Sequence, residues 1–120
     1  NYVKRFAFLQ EPNSPFIWMQ AVEEPDLAFI TIEASSFLKD YELSIAGGEV
    51  ENIGAKNVSE LIILFIVTIP DNPSEMTANL QGPVILCTKS GKGRQAISLS
   101  DKYKVRHRII SEDAQKGSEG

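Results

Sequence analysis

One cysteine, one histidine and one tryptophan among 120 residues leave little material for metal, redox or acid–base chemistry. Cys87 alone excludes an internal disulfide, and with the single His107 it cannot complete a Cys/His zinc set. A chain without disulfides fits a reducing cytoplasm, and Cys87, inside the apolar run Val84-Ile-Leu-Cys87, reads as a buried packing residue. The longest apolar run, Leu61 to Val67, falls far short of the roughly 20 residues a membrane helix requires, so no membrane partner is expected. The opening Asn1-Tyr-Val-Lys-Arg5 has no signal-peptide pattern and leads into strand-like sequence. No dinucleotide glycine fingerprint occurs. The acids Glu23, Glu24 and Asp26 flank Pro25 in a turn, where ordinary carboxylate pKa values make poor general acids. No catalytic residue, metal ligand or cofactor site emerges, and a non-enzymatic protein is expected.

What is present is ordinary globular material: 42% hydrophobic and 23% charged residues in one domain's length. The charge is uneven. Residues 1 to 60 carry ten acids and four bases, a net of −6, whereas residues 61 to 120 carry six acids and eight bases, a net of +2. The acidic half repels phosphate over roughly 8 Å in cellular salt and suits a basic protein better than nucleic acid.

The chain reads as all-β. Phe6 to Leu9, Phe16 to Val22 and Leu27 to Ile32 are strand-like, separated by the turn clusters Glu11-Pro-Asn-Ser-Pro15 and Glu23-Glu-Pro-Asp26. Ser36 to Asp40 reads as one helical turn before a strand at Tyr41 to Ile45, which Gly47-Gly48 breaks. Asn57-Val-Ser-Glu60 sets a capping residue three before a glutamate, the mark of another short helical turn. Leu61 to Ile69 has six β-branched residues in nine and apolar side chains at both parities, the pattern of a strand buried on both faces. Leu80 to Thr88 is a strand interrupted at Gly82-Pro83, with Gln95 to Leu99 as its partner. These elements predict a small antiparallel β-barrel-like domain over residues 1–110, with one or two short helical turns. Residues 111–120, polar and without period, predict a tail.

Two basic stretches pose a choice. Ser90-Gly91-Lys92-Gly93 reads as a hairpin turn using the positive-φ freedom of both glycines; a phosphate loop would need G-x-x-x-x-G-K-[ST] and a following helix. Lys102, Lys104, Arg106 and Arg108 alternate with Tyr103, Val105, His107 and Ile109, predicting a strand with a basic and an apolar face. That face is either a charged edge that discourages aggregation or a docking surface for an acidic partner or RNA. An RNA-binding β-domain using this strand and the Lys89 to Arg94 hairpin is the alternative function. The residues least explained by folding are Trp18 and Met19 near the acidic turn Glu23, Glu24 and Asp26, and Met76 with Asn79. Tryptophan and methionine are enriched at protein interfaces, so these seven form the candidate partner-binding set. A core role for Trp18 is the competing reading.

Four blocks in order, Pro15 to Phe29 (PFIWMQAVEEPDLAF), Met76 to Leu86 (MTANLQGPVIL), Gly91 to Leu99 (GKGRQAISL) and Tyr103 to His107 (YKVRH), resemble the FliW family. The resemblance runs from about Tyr2 to His107. It implies a small cytoplasmic β-barrel-like protein without enzymatic activity that binds newly made flagellin and the RNA-binding translational repressor CsrA. Through that exchange of partners it would couple flagellin translation to secretion. The resemblance also implies that a first strand and a glycine- and proline-rich segment, which ordinarily precede this region, stand outside the 120 residues. Gly82 replaces a common alanine, and Arg108 a common proline or apolar residue.

Overall fold

The computed structural model describes residues 4–109. Eight strands form one antiparallel sheet: β1 Phe6–Gln10, β2 Phe16–Ala21, β3 Ala28–Glu33, β4 Leu61–Thr68, β5 Thr77–Ala78, β6 Val84–Cys87, β7 Lys92–Gln95 and β8 His107–Arg108. The path runs β1-β2-β3-β4-β5-β8, and β6 joins β4 to β7. Among the described residues β1, β7 and β8 each pair on one side, so the sheet is not closed into a barrel.

The long strand β4 organises the molecule. Its first half, Leu61 to Leu64, pairs with β6, and its end, Val67 and Thr68, pairs with β5. On its other side Leu64 to Val67 pair with Ile30 to Glu33 of β3. Alternation along β4 then places Phe65 and Val67 in one cluster with Ile32, Met76, Ala78, Leu80, Tyr103 and Ile109. Leu61 packs on a second cluster of Ile53, Ala55, Ile85, Cys87 and Ala96, and Ile63 touches both. At the opposite parity Leu64 is also buried, as an apolar strand read without alternation requires.

Two short helices cover these clusters. α1, Ala34–Phe37, brings Phe37 edge-on to Phe65 at 6.3 Å. α2, Gly48–Asn52, contributes Val50 to the second cluster. The diglycine expected to break the chain therefore opens a helix. The 3-10 turn Val58–Glu60 forms as expected, with Asn57 Oδ1 accepting from Ser59 N–H at 3.1 Å. Glu60 instead reaches the Lys56 N–H, 2.9 Å away. A second such turn, Pro73–Glu75, is capped in the same manner by Asn72.

Four further expectations are corrected. Tyr41 to Ile45 belongs to no strand; Leu43 and Ile45 pack on the second cluster, and Tyr41 donates its hydroxyl to the Leu80 carbonyl at 2.9 Å. Ala96 to Leu99 continues β7 only irregularly, through Ala96 N–H to Pro83 O and Ser98 N–H to Gln81 O, because Pro83 has no N–H to return. The long basic strand is reduced to His107–Arg108. The hydroxyls of Ser98 and Ser100 accept the N–H groups of Ser100 and Lys102, each at 3.2 Å, and these local bonds turn the chain where a ladder would otherwise run. Of the two turn glycines, Gly91 has φ of +73° and its N–H closes the turn on Cys87 O at 2.8 Å. Gly93 instead lies in β7, where an added Cβ would stand 2.3 Å from Leu86 Cδ2 and 2.8 Å from Ile85 O. The expected tail from Ser111 lies outside the described residues.

Candidate functional site

β1 and β2 carry the face of the first cluster beyond its cover. Trp18 pairs with Leu9 on one side and Ile30 on the other, so the three side chains project from the same face. Neither helix reaches the β1 end, leaving Leu9 62% and Trp18 43% exposed. With Glu11, Ser14, Phe16 and Ile69 they line an open groove of about 430 Å³. Trp18 is therefore a surface residue, its indole N–H donating to Gln20 Oε1 at 3.2 Å.

The rest of the sequence-derived set is dispersed. Met19 points to the opposite face from Trp18 and is buried between Phe8 and Phe29 in register. Met76 is buried in the first cluster. Asn79 is half-buried, and its Oδ1 accepts the N–H groups of Gln81 and Gly82 at 3.1 and 2.9 Å. It shapes the Gly82-Pro83 interruption. The acids occupy the β2–β3 turn, at the opposite end of β2 from the groove. Glu24 forms an ion pair with Lys4, and Arg5 Nε donates to Glu23 Oε2 at 2.6 Å. Asp26 is exposed and forms no ion pair among the described residues. The structure thus keeps Glu23, Glu24 and Asp26 together and brings neither Met76 nor Asn79 to them.

A second open groove, also about 430 Å³, was not found from sequence. Asn79, Gln81, Gly82, Gln95, Ala96, Ile97 and Val105 line it. Its apolar members are aliphatic: Ile97 is 72% exposed and Val105 52%. Around Ile97 the chain alternates buried Ala96 and Ser98 with exposed Ile97 and Leu99, which reverses the usual sheet pattern of apolar in and polar out. Two apolar residues alternating with alanine and serine were a readable signal. It was obscured because large aliphatics are ordinarily assigned to the core.

The basic residues divide into paired and unpaired. Lys89 Nζ lies 3.4 Å from Glu60, and Arg94 Nε 3.0 Å from Glu49 Oε1, a charge contact without aligned hydrogen-bond geometry. Lys102 Nζ lies 3.5 Å from Glu42 and 5.4 Å from the Tyr103 ring centre. The Glu42 carboxylate, with the neighbouring Tyr103, raises the Lys102 pKa. Glu60, holding the Lys56 N–H and facing Lys89, is drawn below the usual carboxylate value. Lys92, Lys104 and Arg106 have no ion pair among the described residues. Tyr103 is buried, its hydroxyl oxygen accepting from Glu42 N–H at 2.8 Å. His107 packs edge-on against Phe37 at 5.5 Å, as a residue of the apolar face should.

Among the described residues no three His, Cys, Asp or Glu side chains cluster closely enough to hold a metal ion, and no helix is long and apolar enough to cross a membrane. Fold and surfaces together define an open antiparallel β domain whose distinctive features are exposed grooves. The family model described as FliW protein matches residues 1–109. The chain is 44% identical over 116 residues to the flagellar assembly factor FliW of Leptospira biflexa serovar Patoc, covering 95% of this chain and 76% of that one. It is 38% identical over 110 residues to the flagellar assembly factor FliW of Alkaliphilus metalliredigens, covering 90% and 68%. A crystal structure of the flagellar assembly factor FliW superimposes with a TM-score of 0.78 at 32% identity, over 86% of this chain and 72% of that one. The chain belongs to the FliW family.

Proposed function

We propose that this protein is a cytoplasmic flagellar assembly factor that binds flagellin and the translational regulator CsrA in turn. By antagonising CsrA it couples flagellin translation to flagellin secretion. The carrying observation is family membership over nearly the whole chain, at 44% identity to a protein named for flagellar assembly. Two grooves that share no lining residue suit a protein with two partners.

CsrA grips RNA with basic residues, so the acidic β2–β3 turn is the natural side to meet it. Glu23, Glu24 and Asp26 are exposed there. Exposed ion pairs such as Arg5–Glu23 contribute only about 0–1 kcal/mol, so a partner's arginine displaces them at small cost. One charge pair about 8 Å apart at an effective dielectric of about 20 is worth about 2 kcal/mol before salt screening. A few such terms shift RNA affinity tenfold or more, since about 1.4 kcal/mol is tenfold. Trp18 supplies an aromatic anchor from the groove on the same strand, β2.

The RNA-binding alternative has less support. Lys89, Arg94 and Lys102 face acids of the same chain, and buried Tyr103 offers no stacking platform. Calorimetry with purified flagellin and CsrA from the same bacterium tests the proposal. Saturable binding to both, with each partner displacing the other, supports it; heat from neither, or both held at once, ends it.

A further inference from the structure

We infer that the groove containing Ile97 and Val105 is a docking site for an acidic, amphipathic segment of a partner protein. This inference rests on the partner-binding reading above and assigns chemistry to one of its two surfaces. Three observations converge. Ile97 and Val105, large aliphatics more than half exposed, line the groove together with the amides of Asn79, Gln81 and Gln95, and exposed Leu99 lies two residues from Ile97. An apolar strip rimmed by polar groups is the surface that receives the apolar stripe of an amphipathic segment.

The charges beside the strip select the partner's sign. Lys104 and Arg106 immediately flank Val105 in sequence, are exposed, and form no ion pair among the described residues. Every other cation of residues 89–108 except Lys92 is neutralised by an acid or, for Arg108, donates to the Ser74 carbonyl at 3.1 Å. Complementary charge at the rim of an apolar contact raises association rate and rejects basic partners. Two of the groove's side-chain amides are already committed: Asn79 holds the Gln81 and Gly82 N–H groups, and Gln95 Nε2 donates to Gly82 O at 2.9 Å. The groove floor is therefore held in shape before a partner arrives, which lowers the ordering cost of binding. RNA would use the same two cations but finds aliphatics where it needs aromatic rings.

The test titrates the isotope-labelled whole chain with two probes, a synthetic peptide of about 16 residues bearing leucine at helical spacing among glutamates, and a short uridine RNA. The peptide is expected to move the NMR signals of Gln81, Ile97 and Val105. Its affinity should fall about tenfold in Lys104→Glu/Arg106→Glu and again in Ile97→Ser/Val105→Ser, while far-UV circular dichroism stays unchanged. Peptide that leaves those signals in place, or RNA that alone moves them, overturns the inference. Flagellin and CsrA calorimetry on the same preparation separates the two readings. Binding of both partners with no peptide effect sinks only the groove assignment. Peptide capture with neither partner bound sinks only the proposed function.

Discussion

Strands β4 and β1 are built from similar residues and have opposite fates. LIILFIVT in β4 is paired on both edges and apolar on both faces, with Phe65 fully enclosed. FAFLQ in β1 carries neither charge nor proline, yet four of its five residues are exposed and one edge is unpaired among the described residues. Apolar composition nominates a strand for burial, but the number of neighbours decides it. A central strand is covered by whatever its neighbours hold in place. Among the described residues the edge strand β1 has one neighbour, and its apolar side chains are left uncovered.

Four measurements separate the central strand from the edge. The largest effect is expected at the centre. Phe65→Ala should cost about 3–5 kcal/mol in urea unfolding, since the cavity lies where α1, β3 and β5 cannot collapse together; a cost below about 1 kcal/mol would show that β4 is no more essential than the edge. Gly93→Ala comes next, at about 1–3 kcal/mol, because its Cβ would overlap Leu86 and the Ile85 carbonyl. A neutral result would mean that β7 shifts freely.

The third measurement is alkaline unfolding. Burial, reinforced by nearby Tyr103, pushes the Tyr41 hydroxyl up to about 12 from 10.0. The unfolded chain therefore loses its proton first, and stability present below pH 10 declines as pH rises toward 12. Tyr41→Phe should flatten that decline, at the expense of the bond to Leu80 O; an unchanged profile would place the alkaline sensitivity elsewhere. The smallest stability effects are expected at the edge. Leu9→Ser and Trp18→Ser should each change unfolding by no more than about 0.5 kcal/mol, while Trp18→Ser weakens one partner about tenfold. If either variant unfolds the protein, the edge is core after all.

Much of the fold was legible because it depends on local pattern. β2, β3 and β4 follow from β-branched and aromatic runs bounded by proline-rich turns, and the Asn57 cap from one side chain reaching one N–H two residues on. The errors have separate causes. The Lys102 to Ile109 alternation is real as a pattern, yet serine hydroxyls at 98 and 100 redirected the backbone before the pattern could pair. Gly47-Gly48 looked like a break because helix propensity disfavours glycine, but five residues suffice for a helix when Val50 has a cluster to enter. Of the candidate surface, the acidic turn and Trp18 were readable. The aliphatic groove was legible only in part, through the alternation around Ile97, because its members come from three separate segments, around residues 79–82, 95–97 and 105.

Residue types and their order suffice for a disulfide-free antiparallel β protein with its strongest strand at Leu61 to Thr68. Those properties follow from residue type and spacing along the chain. That Met19 and Met76 are enclosed while Trp18, Leu9, Ile97 and Val105 face outward follows only from the packed fold. Exposure depends on which neighbours arrive from distant positions, and no local pattern encodes that count.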